Sequence, residues 1–221
     1  MNKTPDSNLL IFCKYPLAGK AKTRLIPALG AEVAAQLHRR LAESAIGMAR
    51  SWKQISLEKV NRITVHYTGA GEKDFYSWLG SDLDYQEQPT GNLGQRMGTA
   101  FESAFKCGIE QAIGIGTDVP TLTATILQQA DKNLEDHDLV LGPAADGGYY
   151  LIGMNSFHPE LFVGIDWGTG HVYRQTQEIA SQMGLRVVTL PVLSDIDRPE
   201  DLNLLKNDPR FSSIIEQGRT P

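Results

Sequence analysis

Apolar residues in this chain fall into short runs separated by longer stretches with helical periodicity. Residues 8–14 (NLLIFCK) form an apolar run that ends at a Pro- and Gly-containing loop, which predicts a buried strand. Residues 31–52 carry Val33, Leu37, Leu41, Ala45 and Met48 at spacings of three and four, one face of a helix. In 62–67, Ile63 and Val65 alternate with polar neighbours and predict a second strand. A short helix is expected at 72–79 and a short strand at 84–88. Residues 91–96 read as a turn entering a helix that runs to about 106, with Met97, Phe101 and Phe105 at four-residue spacing. Residues 111–116 predict a strand ending at Asp118 and stopped by Pro120, after which Thr123 caps a helix to about 133. Two strands, 138–143 and 149–154, flank a tight turn at 145–148. A helix at 171–183, a strand at 186–190 and a last helix at 200–206, opened by Pro199, complete the series. The tail from Asp208 reads as peripheral.

Alternating strands and helices predict an α/β fold, a doubly wound and mostly parallel sheet with helices on both faces. The strands meeting at Leu141 and Ile152 are the candidate antiparallel element. With no internal repeat, low-complexity segment or dividing linker, residues 1–221 read as one domain with its core at about 8–206. A chain of 221 residues is ample for a buried core. Its net charge of −5 disfavours a general nucleic-acid partner, though an acidic protein can still present a local basic patch to a phosphorylated ligand. The two cysteines, Cys13 and Cys107, sit in apolar contexts outside any CxxC pair and are expected to be reduced and buried. No apolar run approaches the ~18 residues of a membrane span, and residues 1–8 are polar, so a cytoplasmic location without a membrane partner is expected.

Four clusters of unusual residues fall where strands end, the place at which open α/β sheets bind ligands. The first is Lys20, Lys22, Thr23 and Arg24, after Gly19. If the loop is extended, Lys20, Lys22 and Arg24 share a side and can neutralise phosphates, with backbone N–H groups near Gly19 assisting. It is not a Walker A loop, since Lys14 and Ala21 stand where Gly and Ser or Thr belong. A solvated basic loop reads equally well from this segment alone. The second is GTDVP, in which Asp118 can hold Mg²⁺ or Mn²⁺ or simply occupy a turn before proline. The third, GPAADGGYY, is an ordinary hairpin signal that also places Asp146, Gly147, Gly148 and Tyr149 against a substrate. In the fourth, DIDRPED, Asp195 and Asp197 share a side if extended and can complete a metal site; alternatively Asp197 caps the last helix. Arg96 can reach phosphate or base, and Asp166 and Trp167 can line an acceptor pocket. The five histidines show no metal-ligand spacing and carry no assigned role.

Taken in order, FCKYPLAGKAKTRL (12–25), GNLGQRM (91–97), GTDVPTL (116–122), LGPAADGGYYLIG (141–153) and DIDRPEDL (195–202) resemble the DUF2064 family, also called the radical-SAM/selenodomain-associated transferase 1 family. The resemblance spans nearly the whole chain. It implies the glycosyltransferase-A (nucleotide-diphospho-sugar transferase) fold, a nucleotide near the first loop and a divalent metal, Mg²⁺ or Mn²⁺, at Asp118. It further implies donor phosphates at Lys22 and Arg24, a donor or acceptor beside Asp146, Gly147 and Gly148, and metal support from Asp195 or Asp197. Sugar-transferring members of that superfamily commonly carry D-x-D, whereas Val119 and Pro120 follow Asp118 here. That form looks more like nucleotidyltransferases of the same fold, and KTRL resembles lactyl-phosphate guanylyltransferases. The expected activity is therefore metal-dependent transfer from a nucleotide donor to an unassigned acceptor. Glycosyl transfer leads, nucleotidyl transfer from an NTP is the alternative, and a non-catalytic nucleotide-binding module is the third possibility.

Overall fold

The computed structural model describes residues 6–55 and 60–218; the polar segment 1–5 and residues 219–221 lie outside the described residues. Seven strands form one sheet in the order β3-β2-β1-β4-β6-β5-β7. They are β1 (Ser7–Lys14), β2 (Asn61–Thr68), β3 (Asp84–Glu87), β4 (Gln111–Ile115), β5 (Leu139–Pro143), β6 (Tyr149–Met154) and β7 (Val187–Thr189). β1 lies between β2 and β4, parallel to both, and is buried along almost its whole length. This explains why its sequence is a continuous apolar run rather than an alternating one. β6 runs antiparallel to β4 and β5, and Leu141 stands opposite Ile152.

The helices are α1 (Ile26–Leu29), α2 (Ala31–Ile55), α3 (Glu72–Leu79), α4 (Leu93–Lys106), α5 (Ala124–Asn133), α6 (Val172–Gln182) and α7 (Ser212–Gly218). One face of the sheet carries α2, α3 and α5, whose Ala42, Ile46, Trp52, Phe75 and Leu127 pack with Leu9, Ile11 and Ile113. The other carries α4 and α6, where Phe101, Ala104 and Ala180 pack with Leu10, Ala112 and Ile152. Asn92 and Gln95 cap α4 reciprocally, and the Thr123 side chain accepts from the backbone N–H of Ile126 to start α5.

Four expectations are corrected. The buried stripe of α2 is centred on Ala34, Leu37, His38, Leu41 and Ala49, with Val33, Ala45 and Met48 at its margins. Small residues there let the helix lie close against the sheet. Residues Pro199–Leu205 form a 3₁₀ helix rather than an α-helix. The segment after Asp208 is not peripheral. Phe211, Ile214 and Ile215 close a third core with Leu25, Leu37, Leu41 and Ile196, because α2, α1 and the loop before them leave an apolar face that the sheet does not reach. Cys13 is buried as expected, but Cys107, at the C-terminal end of α4, is exposed. Among the described residues, no helix is long and apolar enough to cross a membrane.

Candidate active site

The chain leaves β1 toward β2 on one side, while β4 enters on the other, so a crevice opens beyond the carboxyl ends of β1 and β4. The basic loop fills one wall. It does not extend. Lys20 and Ala21 N–H groups fold back on the Leu17 carbonyl, Lys14 Nζ donates to the Lys20 carbonyl at 2.6 Å, and Thr23–Leu25 make a 3₁₀ turn. Ala21 and Leu25 are both buried and anchor the loop on either side of Lys22. Lys22 itself is left-handed (φ 47°, ψ 46°), the one non-glycine with positive φ among the described residues. An extended loop would have shown Lys20, Lys22 and Arg24 to one side. Instead Lys22 turns inward, Arg24 points outward, and Lys20 stays exposed.

Lys22 and Arg24 each meet a carboxylate from elsewhere in the chain. Lys22 Nζ lies 2.7 Å from Asp118 Oδ2 and 3.9 Å from Asp197 Oδ1, and Arg24 pairs with Asp197. Burial raises the proton affinity of Asp118, but the charge and hydrogen bond of Lys22, helped by His38 and Thr117, outweigh it and hold the carboxyl below its usual pKa. Asp195 behaves oppositely: burial and the charges of Asp146 and Asp118 raise its pKa. Ile196, between Asp195 and Asp197, is fully buried in the third core, which leaves its two neighbours on the cleft. Asp197 does not cap the last helix. Asp201 does, accepting the N–H groups of Asp197 and Arg198.

Three adjoining compartments make up the cleft, and Arg24 lines all of them. The basic one, about 360 Å³, is lined by Lys14, Lys20, Lys22, Thr23, Asp118 and Asp197, with His38 at its wall. A second of about 310 Å³ has walls from Tyr149, Tyr150, Trp167 and Leu93, with Asp118, Asp146 and Asp195 as its carboxylates. The third, about 410 Å³, contains Asp146, Asp195, Asp197, Glu200 and Asp201 with Arg198. Tyr149 and Trp167 meet edge-on, and burial pushes the Tyr149 hydroxyl pKa upward.

Other expected residues are placed differently. Gly19 (φ +73°) turns the loop, and Gly148 lines the aromatic compartment. Gly147 does not line a compartment. Its φ of +88° and its close approach to the Gly170 backbone require glycine for packing. Asp146 Oδ1 accepts the Gly148 N–H at 2.9 Å and its carboxylate borders two compartments. Arg96 folds back to donate to the Gly91 carbonyl and lines none of the three. Asp166 is held by Gln175, while Trp167 reaches the cleft. Sequence reasoning missed His38 and Lys14. His38 Nε2 bonds the Lys14 carbonyl at 2.8 Å, and burial lowers its pKa. The available signal was its place on the apolar stripe of α2.

Among the described residues, no three His, Cys, Asp or Glu groups are gathered into a ready-made metal site. The donor set still fits a hard divalent cation, which takes one or two carboxylates from the protein and completes its sphere with other oxygen ligands. Asp118 and Asp195 are the two suited to it, since both carboxylates border the aromatic compartment. Asp197 suits it less, being engaged by Arg24.

The model of a family described as "Uncharacterized protein conserved in bacteria (DUF2064)" matches residues 52–169. No curated protein matches the chain. A crystal structure from Desulfovibrio desulfuricans G20, assigned by name to the nucleotide-diphospho-sugar transferases, is 31% identical with a TM-score of 0.82, covering 96% of this chain and 97% of its own. Two more distant structures share the fold alone. The 4-diphosphocytidyl-2C-methyl-D-erythritol synthase of Anaerococcus prevotii DSM 20548 has a TM-score of 0.58 at 9% identity, covering 91% of this chain and 94% of its own. Glucosyl-3-phosphoglycerate synthase of Mycobacterium tuberculosis, solved with Mn²⁺, uridine diphosphate and glucosyl-3-phosphoglycerate, has a TM-score of 0.52 at 11% identity, covering 98% and 81%. With a family model over more than half of its length and a 31%-identical relative over nearly all of it, this chain belongs to the DUF2064 family and has the nucleotide-diphospho-sugar transferase fold.

Proposed function

We propose that the protein is a metal-dependent glycosyltransferase that takes its sugar from a nucleoside-diphosphate donor. The observation that carries this reading is the sorting of polarity among three adjoining compartments of one cleft. One compartment gathers the cations, one the aromatic walls and one most of the carboxylates, and Arg24 lines all three. The donor's diphosphate belongs with Lys20, Lys22 and Arg24, and its sugar beside Tyr149 and Trp167. Acceptor hydroxyls suit the carboxylates of Asp146 and its neighbours. The acceptor oxygen forms the new bond to the anomeric carbon as that carbon's bond to the diphosphate oxygen breaks, and the acceptor's proton passes to the Asp146 carboxylate. Lys22 and Arg24 stabilise the charge that grows on the leaving diphosphate, and the walls of the cleft hold the reactants in line. A divalent ion at Asp118 and Asp195 supplies further positive charge to the phosphates when bound. Two free thiols and a small-molecule donor fit a cytoplasmic enzyme.

The relative from Desulfovibrio desulfuricans, by its assignment, supports sugar transfer. A specific feature favours nucleotidyl transfer as the second reading: Asp118 has no second carboxylate two residues on, and three lysines and an arginine line the basic compartment, enough charge for a triphosphate. Incubation with candidate acceptors separates the two, because nucleotidyl transfer releases pyrophosphate and sugar transfer releases a nucleoside diphosphate. Under either reading Arg24→Ala and Asp118→Ala lower turnover by roughly 10²-fold or more, the scale of losing one preorganised charge from a transfer site. Full turnover in both folded variants would remove the site assignment.

A further inference from the structure

Asp118 is already occupied on both oxygens. Oδ2 receives Lys22 Nζ at 2.7 Å and Oδ1 receives the Thr117 hydroxyl at 3.2 Å. The Lys22 side chain is 4% exposed, against 39% for Asp118, so the ammonium is enclosed while the carboxylate opens on the cleft. Its left-handed backbone and the buried Ala21 and Leu25 on either side hold it there. An ammonium and a divalent ion on one carboxylate would set like charges a few ångströms apart in a partly enclosed site, where repulsion is strong. Asp197 Oδ1, at 3.9 Å from Lys22 Nζ, offers a second landing point, and the basic compartment lies beside it.

We propose that Lys22 is a built-in counter-ion that keeps a divalent cation off Asp118 until the donor's diphosphate draws the ammonium away, so that metal and donor bind as a cooperative pair. The inference rests on the proposed nucleotide-donor function, which it deepens by assigning the order of binding. Lys22 thereby has two successive partners, Asp118 in the donor-free protein and the diphosphate in the loaded one. A donor-free enzyme of this kind takes up metal weakly. The reciprocity of linked binding requires that metal strengthen donor binding by the same factor.

The test is Mn²⁺ binding followed by electron paramagnetic resonance on wild type, Lys22→Met and Asp118→Asn, each with and without inorganic pyrophosphate. Without pyrophosphate, Lys22→Met is expected to bind Mn²⁺ roughly tenfold tighter than wild type, because its carboxylate is left without a cation. Asp118→Asn and the Lys22→Met/Asp118→Asn pair lose that gain. Pyrophosphate strengthens Mn²⁺ uptake in wild type and does so less in Lys22→Met. A measurement needing no variant is acylation of lysines in wild type, read by peptide mass spectrometry. Lys22 is protected in the donor-free protein, and Mn²⁺ added without pyrophosphate leaves it protected. Equal Mn²⁺ affinity in wild type and Lys22→Met, no Mn²⁺ binding by either, or ready labelling of Lys22 in the donor-free protein would overturn the proposal. Tighter Mn²⁺ in Lys22→Met, combined with no binding of pyrophosphate or any nucleoside diphosphate, would leave the Lys22 block standing and remove the nucleotide reading instead.

Discussion

Replacing Gly147 by alanine tests how rigidly the Asp146 turn is held. Gly147 has φ +88°, and an added Cβ would collide with the Gly170 carbonyl group, lying 2.7 Å from its Cα. The obstacle is backbone, so no side-chain rotation relieves it. Gly147's own carbonyl accepts the Tyr173 N–H at 3.0 Å, tying the turn to the first turn of α6. Three costs combine: about 1 kcal/mol for a left-handed alanine, about 2 for overlap with fixed backbone and about 1 for the strained hydrogen bond. The sum, about 4 kcal/mol, corresponds to a fall in Tm of roughly 8–16 °C for a domain of this size. Gly164→Ala is the internal control. It has φ +72° but nothing within 4 Å of an added Cβ, so only the conformational cost of about 1 kcal/mol applies. Urea unfolding followed by circular dichroism reads both variants. Equal stability of the two would refute the claim that contact with Gly170, rather than backbone angle alone, fixes this turn.

Three further outcomes are expected. His66 is fully buried, stacks on Phe12, and its pKa is lowered by burial to about 4, so the unfolded chain binds the proton more tightly than the folded one. Its contribution is complete above the unfolded pKa of about 6.5 and is lost as pH falls toward the folded value; between pH 7 and 5 wild type should lose about 2 kcal/mol more stability than His66→Phe, and equal losses in urea titrations would refute this. Cys107 should react with an aromatic disulfide reagent in the native protein, whereas Cys13, buried and pushed up to about 12, reacts only on unfolding; two fast thiols would contradict the burial of β1. Phe211→Ala should cost about 3–5 kcal/mol in calorimetry, since Phe211 is fully buried in the third core, and a negligible effect would return the C-terminal segment to the periphery.

The sheet was legible in the sequence because its strands are short apolar runs punctuated by Gly, Pro and Asp. Even the antiparallel facing of Leu141 and Ile152 followed from the Asp-Gly-Gly turn. What local pattern could not carry were contacts between distant segments. The basic loop is written as alternating charge, which suggests an extended strip. Its conformation is set instead by Ala21 and Leu25 entering the core and by Asp118, ninety-six residues away, drawing Lys22 inward. Phe211 was misjudged for the same reason, since its partners Leu37 and Leu41 on α2 lie far off in sequence. Asp146 and the Asp195–Asp197 pair were visible as clusters, but which of them a cation already neutralises depends on tertiary geometry. His38 was hidden because a histidine on an apolar helix face looks like packing until its neighbours are known.

The nucleotide-donor claim is tested most directly by a thermal-shift comparison of wild type and Asp118→Ala with NDP-sugars and NTPs, each with Mg²⁺, Mn²⁺ or chelator. A donor at about 100 times its dissociation constant stabilises by roughly 2.7 kcal/mol, a readily measured shift. Metal-dependent stabilisation of wild type by an NDP-sugar, lost in the variant, is the expected result. Stabilisation by NTPs alone would transfer the assignment to nucleotidyl transfer, and no shift with any nucleotide would contradict the central claim.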